Sequence, residues 1–273
     1  MRAATLVTCS TVIACVIATT TRFAQFDQLV IFGDSYSSTY FRPRSTQPSP
    51  ANPFGNIGEL RTNGPKWPQY LATKYNESTI LVYNMAFGGS TVDQAIVPSR
   101  TNGSFVKQLN RFLNVYSPSA VTKTPNTTLY AFWFGINDVG KLFDSNGTAS
   151  DADVLASGLY TQIFDRYFSL LRRLRTEAGA RNFLFINVPP LERTPIAQKA
   201  PKGPYNSRTT ALVTSFNQRI AELAGKVQNE FAGSTVYTYD AHGMFDHALG
   251  EPGSFPELAS VRDTADYCAA YRW

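Results

Sequence analysis

Leu29-Val-Ile-Phe-Gly-Asp-Ser-Tyr36 is the stretch against which the rest of the chain is read. Its apolar run predicts a short, fully buried strand over Gln28–Phe32, and Gly33 permits a sharp exit from it. Asp34 and Ser35 are thereby presented at a strand end.

Outward from this strand, helix and strand signals alternate. After a Pro-, Gly-, Asn- and Ser-rich excursion over Ser37–Pro65, Lys66–Tyr75 reads as a short helix with Trp67, Tyr70 and Leu71 on one face. Strands are predicted at Thr79–Tyr83, Thr128–Phe134, Asn182–Val188 and Thr235–Tyr239. Between them lie helical patterns at Ser104–Tyr116, Asp153–Ala178 and Thr209–Phe231, with Ser104 placed as an N-cap. Such alternation predicts a single α/β domain with a five-stranded parallel sheet and helices on both faces. Ligands of these sheets bind beyond the carboxyl ends of the strands, where Ser35, Gly88-Gly89 and Asn137 all fall.

Composition narrows the class. A chain of 273 residues with 43% hydrophobic and 13% aromatic content can bury a substantial core, and its charged fraction of 16% lies below the usual ~25%. The formal net charge is only +5 and the basic residues are scattered, which excludes a nucleic-acid footprint. Met1-Arg2 followed by the mostly apolar run Ala3–Ala18 predicts a secretory signal over 1–21, too short for a membrane span of ~20 residues. Asn76, Asn102, Asn126 and Asn146 each head an Asn-x-Ser/Thr sequon, which agrees with an extracellular, glycosylated product. Cys9 and Cys15 fall in the leader, leaving Cys268 without a partner within the mature chain.

The strand ends carry residues suited to acyl transfer. A serine hydroxyl is a weak nucleophile until a base takes its proton, and the tetrahedral intermediate needs donors for its oxyanion. Ser35, opening a helix after the first strand, can offer its own N–H; Gly89 can offer a second because it lacks a side chain, and Asn137 a side-chain amide. Each also has a plainer reading as an ordinary turn, a loop or a helix cap. Three of them in order, each just after a predicted strand, are far more specific.

Phe32-Gly-Asp-Ser-Tyr36, Asn84-Met-Ala-Phe-Gly-Gly89 and Trp133-Phe-Gly-Ile-Asn-Asp138 resemble the first three sequence blocks of the GDSL/SGNH hydrolases. Asn63-Gly-Pro-Lys-Trp67 and the Phe132-Trp133 context are similar to the fungal acetylesterases of carbohydrate esterase family sixteen. The resemblance implies a three-layer α/β/α flavodoxin-like sandwich (the SGNH hydrolase fold) over 22–273 and ester hydrolysis without metal or cofactor. By position, Ser35 matches the nucleophile, with Gly89 and Asn137 as the remaining oxyanion donors.

The family's fourth block, an Asp-x-x-His that supplies the base, is absent from this sequence, and Cys268-Ala-Ala-Tyr-Arg-Trp273 resembles its lead-in. The expectation is a domain that ends early. Of the two histidines, His242, just after the fifth strand, is the substitute candidate for the base; His247 follows Asp246. The family resemblance favours a structural or surface role for both.

The expected function is a secreted, monomeric serine esterase acting on small acetyl esters, with acetylated oligosaccharide as the implied substrate and no nucleic-acid or stable membrane partner. Tyr36, Tyr40 and Phe41 are placed either as a platform for a sugar ring or in the core. A lipase or general esterase would use the same machinery, and a carbohydrate-binding protein without turnover is the alternative from a different class.

Overall fold

The computed structural model describes residues 23–266 apart from 61, 63, 77, 100, 118–120, 122–123, 145–150 and 196–206. The predicted leader, Asn63, Asn146 and Cys268 lie outside the described residues.

Five strands form one parallel sheet: β1 (Gln28–Gly33), β2 (Leu81–Asn84), β3 (Thr128–Trp133), β4 (Asn182–Ile186) and β5 (Thr235–Tyr239), in the order β2-β1-β3-β4-β5. The helices are α1 (Trp67–Thr73), α2 (Phe105–Tyr116), α3 (Ile136–Asp144), α4 (Asp151–Ala156), α5 (Leu159–Ala178), α6 (Ser207–Glu230) and α7 (Ala241–Gly250). The chain leaves β1 for β2 on one side and returns to β3 on the other, so the strand order reverses at β1 and opens a crevice there.

Successive side chains of a strand point to opposite faces, and this division sorts the core. Val30 and Phe32 of β1 join Tyr130 and Phe132 of β3, Phe183 and Phe185 of β4, and the buried faces of α2, α5 and α6. Stacked rings run through this layer: Phe132 lies 5.6 Å from Phe32, 6.2 Å from Phe183 and 5.4 Å from Phe185 between centroids. Leu29, Ile31, Val82, Leu129 and Ala131 point the other way, under Ala72 and the partly buried Trp67 and Leu71 of α1. The two faces are thus unequally covered among the described residues. Three long helices lie on one, while α1 and neighbouring loop residues such as Phe54 lie on the other, and Tyr239 of β5 remains 48% exposed.

Several boundaries differ from those the sequence predicts. The long helix expected over Asp153–Ala178 divides, because Gly158 adopts a left-handed φ of 72° between α4 and α5. Asn137 and Asp138 belong to the first turn of α3, a helix the sequence pattern does not predict although it offers the pair as a helix cap, and α7 follows directly on β5. Gly135 makes the first of these possible. Its φ is +121°, and a Cβ there would fall 2.4 Å from Val188 Cγ2 and 2.5 Å from Phe216 Cε1. The excursion over Ser37–Pro65 is also less superficial than its composition implies, since Ser37, Ser38, Thr39 and Phe41 are buried. Ser104 caps α2 as predicted, its side chain accepting from the Lys107 N–H at 3.3 Å.

Among the described residues no helix is long and apolar enough to cross a membrane. Phe132, flanked by rings on both neighbouring strands and on α2 and α5, is the packing centre of the helix-rich face. Phe132→Ala is expected to cost about 3–5 kcal/mol of stability, read as a lowered urea midpoint with an unchanged slope.

Candidate active site

The nucleophile candidate is built by a single turn. After β1 the Asp34 carbonyl accepts the N–H groups of Ser37 (3.2 Å) and Ser38 (2.9 Å). The turn does not continue into the helix expected from the sequence, so a single turn of backbone, without a helix dipole, stands behind Ser35. Ser35 at its crest is exposed.

Side chains from distant elements hold this turn. Lys66 Nζ donates to the carbonyls of Ser35 and Ser38, each at 2.7 Å. Trp67 Nε1 donates to Ser37 Oγ at 3.0 Å, and Asn84 Nδ2 to the Ser37 carbonyl at 2.7 Å. Below it, the Gln108 amide pairs with both backbone groups of Gly33: its Oε1 accepts the Gly33 N–H (2.9 Å) and its Nε2 donates to the Gly33 carbonyl (2.7 Å). The same Nε2 reaches Ser90 Oγ at 3.0 Å, tying the end of β1 to the loop after β2. Gln108 carries no local signal, and Asn84 is marked only by its place at the head of Asn84-Met-Ala-Phe-Gly-Gly89. Only the resemblance of Asn63-Gly-Pro-Lys-Trp67 marks the Lys66-Trp67 pair in the sequence.

The loop after β2 brings Gly88 and Gly89 alongside. A Cβ built on Gly88 would lie 3.9 Å from Ser35 Cβ, which is van der Waals contact. Neither the Ser35 nor the Gly89 N–H has a protein acceptor among the described residues. Two backbone donors are therefore left open around the serine.

Asn137 arrives beside them but is otherwise engaged. Its Nδ2 donates to Asp34 Oδ2 at 3.2 Å and to the Ser90 carbonyl at 3.0 Å. Its neighbour Asp138 accepts the Val92 N–H at 2.9 Å. The first turn of α3 thus grips residues 90 and 92 and joins the serine turn to the glycine loop. Asp34 and Asp138 are buried, and burial raises each carboxyl to about 7; hydrogen bonds from Tyr36 and Val92 N–H groups oppose that rise. Burial lowers the pKa of Lys66, and the Asp34 charge partly restores it.

His242 is not brought to Ser35. It opens α7 with its N–H on Asn187 Oδ1 at 2.9 Å, and its Nε2 lies 3.7 Å from Glu192 Oε1. His247 is exposed, with its ring against Phe255 and Ser254 Oγ. Neither histidine lines the cavity that contains Ser35. That cavity has a volume of about 1550 Å³ and runs from Ser35, Gly88 and Gly89 past Tyr36, Trp67 and Trp133 to Leu184, Tyr239 and Met244 on the thinly covered sheet face. Tyr36 packs edge-on to Trp133 at 5.3 Å and faces this space, Tyr40 lines it near Gly88, and Phe41 is core. No cluster of His, Cys, Asp and Glu suited to a metal ion occurs among the described residues. Of the sequons, Asn102 and Asn126 are exposed and Asn76 is half-buried.

Gln108→Leu is expected to leave the buried Gly33 N–H unpaired and to cost about 1–3 kcal/mol, measured by urea unfolding. The buried acids set a pH dependence. Unfolded, Asp34 and Asp138 lose their protons near 3.8, whereas folded they hold them to about 7, so their contribution to stability is full below 3.8 and is lost as pH rises through about 7. The urea midpoint is accordingly expected to fall between pH 5 and pH 8, and Asp138→Asn to shrink that fall.

The GDSL-like lipase/acylhydrolase family matches residues 29–257. An acetylesterase of Thermothelomyces thermophilus is 35% identical over 236 residues, covering 83% of this chain and 74% of that protein. Among solved structures, an acetyl xylan esterase from Geobacillus stearothermophilus is similar with a TM-score of 0.47 at 15% identity, covering 83% of each chain. An extracellular lipase from Streptomyces rimosus has a TM-score of 0.47 at 13% identity, covering 80% of this chain and 82% of its own. With a family match across most of its length, on the segment that holds Ser35, Gly89 and Asn137, this chain belongs to the GDSL-like lipase/acylhydrolase family and is a carboxylic ester hydrolase.

Proposed function

We propose that this chain is a secreted serine esterase that removes acetyl groups from carbohydrate through a Ser35 acyl-enzyme. The observation that carries the reading is the exposed Ser35 at the carboxyl end of β1, flanked by the uncommitted N–H groups of Ser35 and Gly89. An ester carbonyl set over Ser35 Oγ would place its oxygen between these two donors. Attack forms the Oγ–C bond, the Oγ proton passes to solvent water, and the carbonyl π electrons move onto that oxygen, where preorganised backbone dipoles stabilise the charge without reorganising. Collapse re-forms the carbonyl and breaks the C–O bond to the sugar, whose alkoxide takes a proton from solvent; water then cleaves the acyl-enzyme to free serine and acetic acid, which releases its proton to give acetate. Asn137 serves this step by holding Asp34 and the Ser90 carbonyl, and so the spacing of the two donors.

Acetyl as the acyl group is supported by the 35% identity to an acetylesterase. A sugar as the alcohol part is supported by Tyr36, Trp67 and Trp133 along the cavity, since aromatic rings with polar edges suit the apolar faces and hydroxyl rims of pyranosides. Secretion is supported by the leader predicted from the sequence and by the exposed sequon residues Asn102 and Asn126.

A second reading has its own observation: both histidines lie away from Ser35, and a serine without a base in hydrogen-bond reach binds rather than turns over. Hydrolysis of a chromogenic acetyl ester separates the two. Under the esterase reading, Ser35→Ala abolishes turnover and His242→Ala leaves it within about twofold, because the His242 ring engages Glu192. Preference for acetyl over longer acyl chains distinguishes the acetylesterase from a lipase. Calorimetric binding of acetylated xylooligosaccharide with no hydrolysis would establish the binding protein instead.

A further inference from the structure

The oxyanion reading leaves open what aims the Gly89 N–H, since a glycine loop is free to turn its peptide planes. The peptide that contains this N–H also contains the Gly88 carbonyl. In a planar trans peptide the two point in opposite directions. Whatever holds the Gly88 oxygen therefore determines where the Gly89 N–H points.

Thr101 holds it. The Thr101 hydroxyl donates to the Gly88 carbonyl, and two residues earlier the Ser99 hydroxyl donates to the Gly89 carbonyl at 2.8 Å. The Thr101 N–H in turn reaches Ser99 Oγ at 3.3 Å, so the two hydroxyls form one unit. Consecutive carbonyls of the glycine loop are thus pinned by two linked hydroxyls. Opposite the Gly88 carbonyl, the Gly89 N–H has no protein acceptor among the described residues, and a Cβ built on Gly88 would come 3.9 Å from Ser35 Cβ.

Gly89 and Thr101 also fit each other sterically. Gly89 has a left-handed φ of +73°, and a Cβ there would meet Thr101 Oγ1 at 2.6 Å and Thr101 Cγ2 at 2.8 Å. The space that a side chain at 89 would need is filled by the hydroxyl that orients the peptide. Thr101 lines the same cavity as Ser35 and lies outside the three sequence blocks that mark the site.

We infer that Thr101 is a positioning residue of the ester-hydrolysing site, its hydroxyl clamping the Gly88 carbonyl so that the Gly89 N–H is turned toward the oxyanion. The inference rests on the reading of Ser35 and Gly89 as oxyanion donors. Threonine at this position acts through the peptide and does not touch substrate. Its loss lowers kcat about tenfold to a hundredfold, less than deletion of an oxyanion donor, and leaves KM within about twofold.

A test that needs no turnover uses acetate, the product anion, as probe. In ¹⁵N-labelled wild-type protein titrated with sodium acetate, the amide protons of Ser35 and Gly89 are expected to shift together. In Thr101→Val the Ser35 shift persists while the Gly89 shift falls at least threefold, and Thr101→Ser, which keeps the hydroxyl, restores it. Thr101→Ala gives the same comparison if valine disturbs the loop, and the remaining amide signals report an intact fold. A Gly89 response in Thr101→Val and Thr101→Ala equal to wild type overturns the clamp while leaving the oxyanion reading in place. Absence of any response at Ser35 and Gly89 in the wild-type protein overturns the oxyanion reading and the clamp with it.

Discussion

The in-register parallel pairing of β1 with β3, from Gln28↔Thr128 to Gly33↔Trp133, brings two strand ends level at the edge of the sheet. From that edge the serine turn rises two residues past Gly33 and α3 begins three residues past Trp133, close enough for Asn137 Nδ2 to reach Asp34 Oδ2. A slip of one residue would exchange the faces of every side chain in the strand. Val30 and Phe32 would leave the ring stack and Leu29 and Ile31 would enter it, so the aromatic layer and the site depend on one register.

Above that register the site is organised by control of backbone carbonyls. Lys66 holds those of Ser35 and Ser38, Gln108 that of Gly33, Asn137 that of Ser90 and Thr101 that of Gly88. What remains around Ser35 is a pair of open N–H groups in a cleft lined mainly by aromatic and aliphatic side chains. Dipoles fixed before the reaction stabilise developing charge without the reorganisation that water would require. Burial within this scaffold raises Asp34 and Asp138 to about 7.

The unequal faces of the sheet shape the cleft. Where α2, α5 and α6 cover β1, β3 and β4, rings pack to full burial; on the opposite face Trp67 and Leu71 leave Leu184 and Tyr239 along a cavity that opens at Ser35. The space available to a ligand is thus much larger than an acetyl group, with aromatic walls both at the glycine loop, from Tyr40 and Phe87, and along the sheet face, from Trp67, Trp133 and Tyr239.

Periodicity and turn chemistry in the sequence determined the five strands, their alternation with helices, the Ser104 cap and the ordered appearance of Ser35, Gly89 and Asn137 after successive strands. These features depend on residues adjacent in the chain, so a linear reading finds them. Tertiary structure alone decided that Gln108 clamps Gly33 from 75 residues away, that both Asn137 amide bonds are made within the protein, and that His242 turns to Glu192 rather than Ser35. It also decided that α3 starts at once after Gly135, where Val188 and Phe216 leave no room for a Cβ. A local pattern encodes which backbone conformation is cheap, whereas a hydrogen-bond partner is selected by what packing brings within about 3 Å, and no short stretch of sequence carries that distance.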